Sequence, residues 1–552
     1  MADTLQAVGA MDIDDIVQSP DFDAAVQAAT EDEHKMSIFQ AIRRYPTAVF
    51  WTIAISFSII MEGYDTLLLT SFFALPQFTS KFGFWFAPEH EYMLSANWMI
   101  ALVNTGNVGS LLGISINGFV TERYGHRKVI MGGLLLMTGL IFIPFFAGSL
   151  PVLLTGGILL GIPWGIFSIM GGAYASEVCP LALRGSLTSF VAICWTSGQL
   201  ISAAVVQGCD TIQSDYAYRI PFAVQWVWVL PLLIVALFAP ESPAWLVRKG
   251  RLADAEKSVR RLAPGLTQEQ VKLRLAMLVH TDRLEKAMKA EKGSFLDCFR
   301  GTNLRRTEVA CMSWATQSMC GSLLAYSGAY FLVQDGLSAM QAYKLNTGSK
   351  AVGMVSTFIG IAFVMNMVGR RSAVICGLIG MMTVNLIIGL LTIPVDQHNM
   401  KAIWGQGSLT LVLMAINGIL LAPQTFTICA EVSSTRLRSQ TMSIARFFYS
   451  IVAVIDGVIN TWTVNPAKYN IKGKAGYVWV GVASLALLWA VFRLPETKGR
   501  TFEELDILFE RRISAWKFRS ARVDLIAETR YITEVEEKKE ASTQEVAVVE
   551  AK

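Results

Sequence analysis

Runs of about 20 mostly apolar residues recur along the chain, separated by short polar stretches. That is the length a helix needs to cross a bilayer. About twelve runs occur, at roughly 47–75, 95–119, 128–149, 151–175, 186–207, 220–240, 307–333, 347–368, 372–394, 403–428, 441–463 and 476–493. They are rich in Gly and Ala, which let membrane helices approach closely. Residues 247–306 interrupt the series with a Lys-, Arg- and Glu-rich stretch of helical periodicity, read as short solvent-exposed helices. The pattern predicts an all-α membrane protein of about twelve transmembrane helices. Its divisions are an acidic, disordered tail (1–45), a six-helix bundle (46–246), a helical linker (247–306), a second six-helix bundle (307–494) and a closing motif and tail (495–552). The tails (1–40 and 515–552) read as disordered, and EVEEKKE (534–540) offers Lys538 and Lys539 as candidate regulatory lysines.

Composition narrows the function. Of 552 residues, 53% are apolar and only 16% charged, against about 25% charged in a soluble protein. That argues against a soluble enzyme and a disordered chain. A net charge of +4 points to no nucleic acid or other polyanion. The eight cysteines form no CxxC pair and no metal-ligand spacing with His, so neither metal nor cofactor is expected. No nucleophile–base pair or phosphate loop suggests an enzyme. The acidic N-terminus lacks the features of a signal peptide. Positive charges (Arg123, Arg127, Arg184, Arg370, Arg371, Arg438) follow the even-numbered spans, which places those loops and both termini in the cytoplasm. Lys468, Lys472 and Lys474, between the last two spans, depart from this rule.

The chain also repeats itself. Gly125-His126-Arg127 recurs as Gly369-Arg370-Arg371, Glu177 with Arg184 as Glu431 with Arg438, and Pro240-Glu241-Ser242 as Pro495-Glu496-Thr497, at offsets of 244, 254 and 255 residues. A six-helix unit copied in parallel gives two halves, with substrate between them near the midplane and alternating access by rocking.

Acids inside a membrane helix cost about 2.5–3.5 kcal/mol on insertion scales, and they tend to be functional. The first span carries two, Glu62 and Asp65, three residues apart and therefore on one helical face. Repulsion and desolvation favour protonation of at least one, as a reversible proton carrier requires. Arg446 in the eleventh span is the candidate counter-charge, for proton coupling or as a static pair. Amides and aromatic rings suit sugar hydroxyls and C–H faces. The spans supply Gln199, Gln317, Tyr326, Tyr330, Asn417, Phe426 and Tyr449, each of which would otherwise serve as glue between helices. No basic cluster for an anionic substrate stands out, which favours a neutral polyol.

GFVTERYGHRK (118–128), YASEVCPLALRG (174–185), PESPAWL (240–246), VGRR (368–371), AEVSSTRLRS (430–439) and LPETKGRTFEELDILFE (494–510) resemble the motifs of the major facilitator superfamily, sugar porter family. The similarity spans roughly 45–515, and MEGYDT (61–66) looks most like the fungal α-glucoside (maltose-type) permeases. The resemblance implies a plasma-membrane, proton-coupled importer of an α-glucoside, working as a monomer with sugar, proton and bilayer as its partners. It implies Asp65 as proton acceptor and Gln199 and Gln317 as sugar ligands. It also implies a cytoplasmic gate of Glu122, Arg123, Arg127, Glu177, Arg184, Arg370, Arg371, Glu431 and Arg438, pairing acids of one half with arginines of the other. Proton-coupled relatives place an Arg in span 4, whereas residues 153–159 here read LLTGGIL. Span 2 carries Asn107 where α-glucoside permeases often have an acid, which makes Asn107 a further candidate sugar contact. The alternatives are a facilitator, a transporter of another sugar, or a transport-inactive receptor.

Overall fold

Helix pairing follows the internal repeat. The computed structural model describes residues 36–87, 91–290, 295–395, 399–434, 437–466, 468–469, 471–500 and 502–521. Eleven helices among these are long and apolar enough to cross a membrane. They are span 1 (Pro46–Phe72), span 2 (Ala96–Tyr124), span 3 (His126–Phe145), span 4 (Leu150–Val178), span 5 (Leu187–Cys209) and span 6 (Tyr216–Phe238). The second half supplies span 8 (Ala339–Val364), span 9 (Arg370–Val395), span 10 (Met400–Val432), span 11 (Gln440–Val464) and span 12 (Lys472–Arg493). Span 1 packs on span 5, 2 on 4 and 3 on 6; in the second half, 7 packs on 11, 8 on 10 and 9 on 12. The halves meet through two equivalent contacts, span 2 with 11 and span 5 with 8. Large apolar side chains such as Val227, Leu230, Phe358 and Leu485 lie on the outside, as a lipid-facing surface requires.

Span 7, read as one run from 307 to 333, is instead three helices: Gly301–Met319, Leu323–Tyr326 and Gly328–Gln334. The first break falls at Gly321, whose φ of +84° suits glycine alone. A Cβ there would lie 2.6 Å from the Asn385 amide and 2.8 Å from Trp479. Spans 8 and 10 contain π-helical turns, Gly360–Val364 and Asn417–Leu421, that cross at Gly360 and Gly418. The second lies just before Pro423, so span 10 bulges there. Span 4, by contrast, stays helical through Pro163.

The linker forms helices Pro243–Arg248, Leu252–Leu262 and Gln268–Ala290 and a 3-10 turn, Phe295–Phe299. A two-strand hairpin, Phe84–Phe86 with Glu91–Met93, sits at the opposite end of the molecule. Two stretches expected to be disordered are ordered. Ile38–Arg44 is a helix started by a capping box of Ser37 and Gln40, and Ala41 packs with Ala175 and Cys179. At the other terminus Phe518 is fully buried against Phe509 and under the Arg305 guanidinium. Lys538 and Lys539 lie outside the described residues. Lys472 explains part of the charge-rule exception, since its ammonium donates to the Gln334 carbonyl at 3.1 Å and caps the last helix of span 7.

Candidate functional site

At the linker end the sequence repeat becomes a repeated hydrogen-bond network. In the first half Ser242 donates to Glu177, Arg248 pairs with Glu177 at 2.7 Å, and the Arg127 backbone N–H donates to Glu241. In the second half Thr497 donates to Glu431 at 2.5 Å, Arg370 pairs with Glu431 at 3.0 Å, and the Arg370 backbone N–H donates to Glu496. Arg127 and Arg371 donate to the last carbonyls of spans 6 and 12, filling acceptors that a helix end leaves unpaired. Glu122 and Arg123 are exposed at the end of span 2. The expected cross-half pairing is therefore not what Glu177, Glu431 and Arg370 do: each binds within its own half. The side chains of Arg184 and Arg438 lie outside the described set.

Contacts between halves lie elsewhere. Towards the hairpin end the Tyr343 hydroxyl donates to the Ser71 carbonyl at 2.9 Å, joining span 8 to span 1. Phe73 and Tyr330 meet edge to face at 6.3 Å, and Asn465 donates to Met99 and to the Leu94 carbonyl. In this conformation the halves are joined at the hairpin end.

Deeper inside, Arg446 of span 11 pairs with Glu62 of span 1 at 2.8 Å, across the halves. Its guanidinium also lies 4.8 Å from the Trp314 ring centre and 5.0 Å from that of Tyr449. Trp314 also meets Tyr449 at 5.4 Å and Phe426 edge to face at 4.7 Å, so Trp314 and Tyr449 flank the arginine and Phe426 backs Trp314. Asp65 does not share this partner. Three residues along a helix turn the side chain by about 60°, enough to send it into its own half. There its Oδ1 accepts from Gln225 Nε2 of span 6 at 2.5 Å, while Oδ2 has no hydrogen-bond partner among the described residues. Gly63, between the two acids, brings span 1 onto the Trp195 backbone, 2.0 Å from where a Cβ would stand.

Gln199 is buried, and its Nε2 has no hydrogen-bond partner among the described residues. Tyr326 and Tyr330 line a narrow cavity with Thr70, Phe73, Met99 and Asn460. Asn417 is buried in the π-turn of span 10, Gln317 is half-buried in span 7, and Asn107 is half-buried in span 2. None of these three lines the cavity. From span 2 it is Asn104 that approaches span 11, at Gly457. Sequence reasoning missed Gln225, Trp314, Lys350 of span 8 and Asp456 of span 11, all buried. Lys350 and Asp456 carried a usable signal, being ionisable residues inside apolar runs. Among the expected residues, the structure brings Glu62, Arg446 and Tyr449 together, with Phe426 against Trp314, and sets Tyr326 and Tyr330 on the cavity; Gln199 stands beside Gly198, which packs on span 1 at Ile60–Tyr64.

Comparison with known proteins places this arrangement. A family model described as "Sugar (and other) transporter" matches residues 51–509. The general alpha-glucoside permease of Saccharomyces cerevisiae is 36% identical over 501 residues, covering 90% of this chain and 80% of that one. A maltose permease of the same yeast is 36% identical over 506 residues, covering 90% and 81%. Among solved structures, the proton:xylose symporter XylE bound to 6-bromo-6-deoxy-D-glucose superposes with a TM-score of 0.67 at 21% identity, over 84% of this chain and 100% of that one. Inward-open XylE from E. coli gives 0.65 at 20% identity, over 83% and 98%. The protein is thus a multi-pass membrane sugar transporter rather than an enzyme, and the chain belongs to the sugar porter family of the major facilitator superfamily.

Proposed function

We propose that the protein imports an α-glucoside disaccharide of the maltose type, together with a proton, across the plasma membrane by alternating access, with both termini in the cytoplasm. The observation that carries the reading is the pair of span 1 acids. Glu62 is tied to Arg446 of the other half, and one turn away Asp65 is buried beside a neutral amide. A proton arriving at either carboxylate changes the balance between the halves, which is what coupling to rocking requires. Sugar binds between the halves against Tyr326 and Tyr330 of the cavity wall, with Gln199 and Gln317 as further ligands. The contacts that join the hairpin end suit an inward-facing state. Glu177 and Glu431 exchange partners towards Arg438 and Arg184 when the linker end closes.

The named relatives support the substrate class, since the yeast permeases are called alpha-glucoside and maltose permeases. The neutral partner of Asp65 favours a second reading, a facilitator without proton coupling. Uptake of labelled maltose, sucrose, trehalose and glucose in a transport-null yeast, with and without a protonophore, separates the two. Symport predicts accumulation of maltose that is faster in acidified medium and abolished by the protonophore. Equilibrative uptake indifferent to it would establish the facilitator. Asp65→Asn is expected to lose accumulation and keep counterflow; accumulation persisting in that variant would remove Asp65 as the carrier.

A further inference from the structure

Lys350 lies near the middle of span 8 and is 2% exposed. An ammonium at that depth is costly unless something there uses it. Among the described residues it forms no ion pair. Its Nζ donates to the Ala325 carbonyl at 3.3 Å and stands 4.1 Å over the centre of the Tyr326 ring. Both partners belong to the four-residue helix Leu323–Tyr326, bounded by the Gly321 break and by Ser327. A helix that short has no hold of its own on its orientation. Lys350 therefore anchors it from a continuous neighbouring helix.

Tyr326 is also where this helix meets the other half. Its ring lies edge to face with Trp195 of span 5 at 6.2 Å, and it borders the cavity shared with Thr70 and Asn460. We propose that Lys350 is a positioning residue for sugar: its ammonium, seated on Tyr326 and on the Ala325 carbonyl, fixes the ring as the surface on which the sugar packs, and so sets affinity for sugar rather than coupling to the proton. The inference rests on the sugar-transport reading and adds to it a residue that makes no contact with sugar itself.

The test uses the full-length transporter in transport-null yeast, with labelled maltose as probe, or the best-transported sugar of the panel above. Lys350→Met is expected to raise KM about tenfold, the scale of a lost buried cation–π contact. Maximal rate per molecule at the surface and protonophore sensitivity should change little. Lys350→Arg should restore most of the affinity. Tyr326→Leu should raise KM similarly, and Lys350→Met in that background should add nothing. An unchanged KM in Lys350→Met at normal surface level, or fully additive effects in the double variant, would overturn the proposal. Where Lys350→Met fails to reach the surface, Lys350→Gln takes its place, since it keeps a donor for Ala325 and removes the cation from the ring. A melting-temperature cycle of the purified Lys350 and Tyr326 variants reads the contact without transport, and additivity there likewise overturns it. Wild-type protein that takes up no sugar of the panel would sink the function proposed above, while the melting cycle would still report on the Lys350–Tyr326 contact.

Discussion

Removing the guanidinium of Arg446 leaves Glu62 as a lone carboxylate in the membrane interior. Breaking a buried pair costs about 3–5 kcal/mol; with Arg446 still 21% exposed, the lower end applies. Arg446→Ala should therefore melt well below wild type in detergent, while the Glu62→Gln, Arg446→Leu double variant should recover much of that loss without regaining accumulation. A double variant no more stable than Arg446→Ala would mean that the pair is not what holds the two spans. Gln225→Leu is expected to leave counterflow intact and to lower accumulation, because it removes the amide donor of Asp65. Glu62, Asp65 and Arg446 were legible in the sequence because charge in an apolar run stands out. Their partners were not. That Asp65 meets Gln225 while Glu62 crosses to span 11 depends on which side of a helix edge each one falls, and spacing along one helix carries no such information. Lys350 and Asp456 obey the same rule that exposed Glu62, and sit in runs whose apolar character outweighed them.

At the level of the helices, hydropathy located the spans well and said little about their continuity. Span 7 reads as a single apolar run, yet Gly321 turns the chain through a backbone region closed to other residues, beneath Trp479 and Asn385. Gly321→Ala should destabilise the protein by about 1–3 kcal/mol, the usual cost of strained backbone, and slow transport. Wild-type thermal stability in that variant would show that the turn tolerates a side chain. The Gly-Ser dipeptide at the break was visible, but hydropathy averaged over a span-length window passes over it. Order in Ile38–Arg44 and around Phe518 escaped notice for a related reason. A capping box and one aromatic among cations are short-range signals inside polar segments.

Across the whole molecule, rocking needs contacts that break at one end as others form. The Tyr343 hydroxyl on the Ser71 carbonyl is one such contact, of about 1 kcal/mol. Tyr343→Phe is expected to move the conformational balance roughly fivefold away from the state joined at the hairpin end. The check is labelling of a cysteine placed at Thr70, reached from the hairpin end; equal labelling in both backgrounds would mean the bond does not bias the states. The two-half architecture was legible because duplication leaves matching motifs. The charge networks were misread for the same reason: motifs give the members, whereas pairing depends on which conformation the halves occupy. That Glu177 and Glu431 are each satisfied inside their own bundle has a practical outcome. A chain nicked between Ala290 and Phe295 leaves both fragments with their internal bonds whole, so the two pieces, co-expressed as separate polypeptides, should find each other in the bilayer and restore uptake.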